Sequence, residues 1–181
     1  MRAHRHGVAI SRLARTLAGA LLATVLATSG GATAHAEVLE ATCTGTSTVH
    51  YTPGLRLAPR TVDVDGGRQY DCLSATVSSG VSSFALDDVE RGCLSAAPSA
   101  HVETITWDDG SSSVLSGTVT VVNAAGTTVV TKTGTVTAGR FLGAAVLQVN
   151  TGPTISGLLD CLTTTGLTTI TETTVLEITS L

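Results

Sequence analysis

Aromatic side chains are scarce in this chain: one Trp, two Tyr and two Phe in 181 residues. A core built on stacked rings is therefore excluded, and burial falls to Val, Leu, Ile and Ala. A sugar-binding surface would have only Trp107, Tyr51 and Tyr70 to offer to sugar rings. Recognisable catalytic motifs are also lacking. Beyond residue 36 the only histidines are His50 and His101, and neither belongs to a nucleophile motif; there is no GxSxG and no HExxH. Glu90, Glu103 and Asp109 supply the number of carboxylates that glycoside hydrolysis needs, without a pattern that pairs them. The expectation is a protein that is not an enzyme and has no cofactor.

Basic residues are few once the amino-terminal segment is set aside. From Glu37 onward six Lys and Arg face fourteen Asp and Glu, a formal charge of −8. Such a surface repels phosphate backbones and argues against nucleic-acid binding. No apolar run is long enough to span a membrane. The longest, Leu17 to Leu26, has about ten residues against the roughly 20 a spanning helix requires. Arg2, Arg5, Arg12 and Arg15 precede that run, and Ala34-His35-Ala36 follows it with small residues at the positions read by a signal peptidase. Residues 1–36 read as a secretory signal peptide, and 37–181 as one domain of an extracellular protein.

Four cysteines are present, all in the exported part: Cys43, Cys72, Cys93 and Cys161. An even number in an exported chain points to two disulfides. Of the three possible pairings, Cys43–Cys72 with Cys93–Cys161 is favoured. The close CxxC pairs of a zinc site are missing. Threonine is abundant, with 28 among residues 37–181, interleaved with Val, Leu and Ile. Its β-branched shape suits strands, and its hydroxyl keeps an exposed face wet.

The clearest strand pattern runs from His101 to Gly139. There Val102, Thr104 and Thr106 alternate with Glu103, Ile105 and Trp107. Leu115, Val119 and Val121 alternate with threonine and serine, and Val130, Lys132, Gly134 and Val136 with further threonines. Period two with β-branched residues marks half-buried strands. Turn signals fall at Pro53-Gly54, Asp65-Gly66-Gly67 (a hairpin signal), Asp108-Asp109-Gly110 and Asn123 to Gly126. The stretch around Phe84, Leu86 and Val89 fits either one helical turn or an irregular run. Eight or nine strands with little helix predict an all-β fold: a disulfide-bonded antiparallel β-sandwich, immunoglobulin-like or of related Greek-key type. A small barrel is the second choice.

Paired carboxylates at turns (Asp63 with Asp65, Asp87 with Asp88, Asp108 with Asp109) offer hard oxygens to a cation, but DVDGG lacks the later ligands of a calcium loop. They read as ordinary turn residues, and no metal site is expected. Tyr51 to Thr61 (YTPGLRLAPRT) has prolines that resist pairing and apolar Leu55 and Leu57 outside a clear strand, so it reads either as an ordinary crossover between sheets or as a docking strap for a partner. The candidate contact residues are Tyr51, Pro53, Leu55 and Leu57 of the strap, with Trp107 and Asp109 of the WDDG turn.

At CTGTSTVHYTPGL, WDDG (Trp107 to Gly110), GTVTAGRFLGA and LDCL the chain resembles a group of small exported proteins of filamentous actinobacteria. The resemblance covers Cys43 to about Ile178. Some proteins of this kind act as the adaptor of secreted umbrella-shaped toxin particles, joining a lectin-like subunit to the long toxin polypeptide. The resemblance implies a protein-protein interaction module that binds other secreted proteins; strand accessibility, not a family motif, points to an exposed edge strand or the strap as the contact. A carbohydrate-binding domain is one alternative. A protease inhibitor presenting Leu94 to His101 is another.

Overall fold

The computed structural model describes residues 38–124, 127–153 and 159–180, and the expected signal peptide lies outside them. Nine strands follow one another: β1 (Val38–Leu55), β2 (Arg60–Leu73), β3 (Ser79–Gly92), the two-residue β4 (Ser95–Ala96), β5 (Ser99–Trp107), β6 (Ser112–Ala124), β7 (Thr127–Gly139), β8 (Ala145–Pro153) and β9 (Leu167–Ser180). All pairings are antiparallel. β4 only extends the end of β3, while the other eight strands pair each with the next, and β1 pairs with β9 to close the ring.

The fold is thus a closed eight-stranded antiparallel barrel of up-and-down order. This corrects the expected immunoglobulin-like sandwich. A Greek key needs strands that skip a neighbour, and none of the eight does. β1 is 18 residues long and keeps register with β2 from Thr42 to Thr52 and with β9 from Ala41 to His50, so its two edges are both used. Closure also removes the edge strands through which a partner was expected to pair. The first and last strands, the natural edges in the sequence, are hydrogen-bonded to each other.

Local differences have physical causes. Asp65-Gly66-Gly67 makes no hairpin: β2 runs straight through it, paired to both β1 and β3. Gly66 faces inward, and a Cβ there would lie 2.6 Å from Cζ of Phe84. The glycine makes room for that ring. The Phe84–Val89 run is strand, with a bulge at Asp88 (φ 53°), whose N–H donates to Asp63 Oδ1 at 3.1 Å. Pro53-Gly54 is the end of β1 and not a turn; residues 56–59 make the connection. That connection is tied down. The Arg56 carbonyl accepts the Cys93 N–H at 2.8 Å, and the Arg56 and Arg60 guanidiniums donate to the Thr164 and Gly54 carbonyls. The strap is part of the barrel wall and its rim.

Side chains of one parity fill the barrel in layers. One end is plugged by Tyr70, Val77, Ile105, Trp107, Leu115, Val136, Leu176 and Ile178, all at most 5% exposed. The loop end carries a second apolar group, Val49, Leu55, Val62 and Val64, with Tyr51, Phe84, Leu86, Leu167 and Ile170 against it. Between them lies a belt of buried polar residues: Ser47, Arg68, Ser82, His101, Glu103, Lys132, Gln148, Asn150, Glu172 and Thr174. An inter-sheet layer of a sandwich would have to bury these against apolar groups. In a barrel they meet one another across the lumen.

The disulfides are Cys43–Cys72, across directly paired residues of β1 and β2, and Cys93–Cys161, joining the end of β3 to the segment before β9.

Candidate functional site

Alternation along each strand aims the polar belt inward. On β5, His101 and Glu103 share parity with Ile105 and Trp107; on β7, Lys132 shares it with Val136; on β9, Glu172 and Thr174 share it with Leu176. Closure then converges these side chains on the axis.

Glu103 is the hub. Its Oε2 lies 2.8 Å from Arg68 Nη1, 2.9 Å from His101 Nε2 and 3.1 Å from Lys132 Nζ. Its Oε1 accepts hydrogen bonds from the Tyr70 hydroxyl at 3.2 Å and from the Ser82 hydroxyl. Burial acts to raise the Glu103 carboxyl, but the His101 hydrogen bond, the Lys132 and Arg68 charges and the Ser82 hydroxyl prevail. They hold it well below the usual carboxylate range. Burial lowers His101 against the pull of Glu103, favouring the neutral ring. Burial also brings Lys132 down from 10.5 to about 7, despite Glu103 beside it. Glu172 is raised by burial, with Asn150 hydrogen bonding opposing.

A cavity of ≈ 100 Å³ lies between this belt and the loop end. Its walls are apolar: Val49, Leu55, Val64, Phe84, Leu86, Val119, Val121, Val130 and Ile170 among them. Its floor is Arg68, His101, Lys132, Asn150 and Glu172, with Arg91 and Tyr51 on the wall. The Phe84 ring marks the boundary. Arg68 Cζ stands 4.0 Å and Lys132 Nζ 4.9 Å from its centroid, and the His101 ring meets it edge-on at 5.6 Å. His101 Nδ1 is buried without a hydrogen-bond partner, although its ring lines the cavity. A second pocket of ≈ 20 Å³ lies behind the belt, beside Glu103, Gly117 and Gly134.

The residues singled out in the sequence divide between the two ends. Tyr51 and Leu55 line the cavity; burial raises the Tyr51 hydroxyl, with Glu172 adding to the effect and Arg91 opposing it. Pro53 and Leu57 are exposed nearby. Trp107 and Asp109 belong to the opposite end. Trp107 is 2% exposed, part of the core, and donates from Nε1 to Ser113 Oγ at 2.9 Å. It offers no face to a sugar. Asp109 is exposed, accepts the Ser111 N–H at 2.9 Å and pairs with Arg140. Within Leu94 to His101, β4 and the start of β5 are paired in the sheet. Among the described residues no group of three or more His, Cys, Asp and Glu converges as a metal site.

The cavity residues that sequence reasoning missed are Arg68, Lys132, Asn150 and Glu172. A signal existed for three of them: Arg68, Lys132 and Glu172 are charged side chains on the parity of their strands' apolar residues, whereas Asn150 shares parity with Val146 against Ala145, Leu147 and Val149. Lys132 is moreover the only lysine in the 181-residue chain. No family model, curated protein or solved structure matches this chain.

Proposed function

We propose that this is a secreted, non-enzymatic binding protein that holds a small, largely apolar molecule inside its barrel, the molecule's polar end turned to the floor. The leader-like residues 1–36 support export. The observation that carries the binding reading is the cavity of ≈ 100 Å³ with an apolar wall and a polar floor, at the loop end of a closed barrel. Eight-stranded barrels are wide enough to enclose one small ligand, and pockets of this make-up, apolar with a few converging polar groups, are the usual small-molecule sites.

The size sets the ligand. The volume is of the same order as the ~150 Å³ apolar cavity that takes up benzene, so one ring or a short chain fits. The floor sets its polar end. Arg68 and Lys132 donate, and Glu172 is pushed by burial toward its neutral acid. That set suits an uncharged oxygen that accepts hydrogen bonds. Burial of a ring or butyl-sized group contributes about 1.5–3 kcal/mol, and a hydrogen bond from a charged donor about 1.5–3 kcal/mol. Together, at about 3–6 kcal/mol, they place Kd between about 6 mM and about 40 µM.

The test is calorimetric titration with benzyl alcohol and 1-hexanol, on the wild type and on Val119→Phe, which fills the cavity from β6. The reading expects saturable one-to-one binding to the wild type, and loss of it in Val119→Phe with the melting temperature maintained. No binding up to about 50 mM ligand, several times the weakest expected Kd, or equal binding by the filled variant, overturns it.

A further inference from the structure

We infer that Lys132 forms an imine with an aldehyde or ketone held in this cavity, so that the ligand's polar end is a carbonyl captured covalently. The inference rests on the binding reading above and narrows it to a chemical class.

The geometry carries it. The single lysine of the chain is placed in the barrel interior, 8% exposed, on the cavity floor, while the remaining basic side chains are arginines. A surface lysine serves solubility; this one has no surface to serve. Arginine would supply a permanent charge to Glu103 with a better fork, and Arg68 already does so. What lysine adds is an amine that can lose its proton and act as a nucleophile when desolvated in an apolar pocket. The phenyl ring of Phe84 lies on one side of Nζ at 4.9 Å. The groups facing it are Arg68 from β2, His101 and Glu103 from β5 and Glu172 from β9. Burial brings its pKa down to about 7, which favours the free amine over the buried charge.

The step balances without an external oxidant or reductant. The Nζ lone pair attacks the carbonyl carbon, and the carbonyl π electrons move to oxygen. Nζ gives up a proton and the oxygen gains one, forming a carbinolamine. The hydroxyl then takes a second proton and leaves as water while the nitrogen lone pair forms the C=N bond. Aldehyde and amine yield imine and water. The protonated imine keeps Glu103 Oε2, 3.1 Å from Nζ, as its counter-ion.

The experiment incubates the purified protein with benzaldehyde or hexanal and sodium cyanoborohydride at neutral pH, followed by intact mass and peptide mapping. The matched alcohols are titrated in parallel. The expected result is one adduct per chain at Lys132, formed about tenfold or more faster than in urea-unfolded protein, where lysine has its ordinary basicity. Val119→Phe should slow the adduct severalfold, and Lys132→Met should abolish it. Alcohol binding with no Lys132 adduct overturns the imine and leaves the binding reading standing. An adduct formed equally in folded, filled and unfolded protein also overturns it. Failure of both alcohols and aldehydes sinks the two together.

Discussion

The carboxylate of Glu103 and the guanidinium of Arg68 meet at 2.8 Å inside the barrel, with side chains 0% and 1% exposed. Two charges withdrawn from water so completely are held by mutual attraction and by the groups around them, not by solvent. Removing one partner leaves the others uncompensated. Glu103→Ala is expected to destabilise the protein by about 3–5 kcal/mol. Replacing the set together, as Arg68→Met with Glu103→Leu and Lys132→Met, is expected to cost less than Glu103→Ala alone, because no charge is then stranded. Urea denaturation measures both; a triple variant less stable than the single one contradicts this account.

Lys132 makes the stability depend on pH in a defined direction. Its pKa falls from 10.5 to about 7 on folding, so between those values the unfolded chain keeps a proton that the folded chain has lost. Stability therefore rises with pH across that window, and the contribution is gone below the folded value. Burial, with lesser help from Glu172 and Glu103 respectively, raises Tyr51 and Tyr70, which works in the opposite sense as pH passes the ordinary tyrosine value. The clean range is thus about pH 7.5 to 9.5. Over it the wild type should gain stability, and Lys132→Met should show a flatter profile. Equal slopes in the two proteins would refute the assignment.

Gly66 is an opening in the wall for Phe84. A Cβ at Gly66 would stand 2.6 Å from Phe84 Cζ and meet the Thr48 carbonyl oxygen as well. Gly66→Ala is expected to cost about 1–3 kcal/mol, as overpacking does, and to displace the ring that bounds the cavity. Thermal denaturation and ligand titration on this variant should therefore change together. An unchanged melting temperature would show that the ring relaxes freely.

The two disulfides should separate stability from binding. Their sequence separations are 29 for Cys43–Cys72 and 68 for Cys93–Cys161. Loop entropy puts their loss at about 3.6 and about 4.4 kcal/mol. Both Cys93 and Cys161 line the cavity, whereas Cys43 packs with the plugged end. Paired serine substitutions are expected to weaken ligand binding for Cys93–Cys161 and to spare it for Cys43–Cys72. Equal effects on Kd would remove the special place of the loop-end bridge.

The strands from His101 to Gly139 were legible because period two is a local property. Which sheet they join is not local. A sandwich and a barrel have the same alternation, and only the pairing of β1 with β9, more than a hundred residues apart, distinguishes them. Phe84, Leu86 and Val89 looked irregular because the bulge at Asp88 breaks the parity between Leu86 and Val89. Asp65-Gly66-Gly67 looked like a turn because glycine that admits a ring and glycine that reverses a chain are the same letter. For the site, Tyr51 and Leu55 read in the sequence as strap residues and lie on the cavity wall. Glu103 and His101 stand in the sequence as separate titratable residues with no partner in sight. Their meeting with Lys132 and Arg68 required three strands, β2, β5 and β7, to be brought round one axis, which no spacing along the chain encodes.

The zipper of β1 against β9 has a practical consequence. Val38 pairs with Ser180, at the Trp107 end of the barrel and away from the cavity. A tether, label or fused domain attached at either extremity leaves from that pole. Immobilised this way, the molecule would stand with its rim toward the solution, its interior still open to whatever diffuses past.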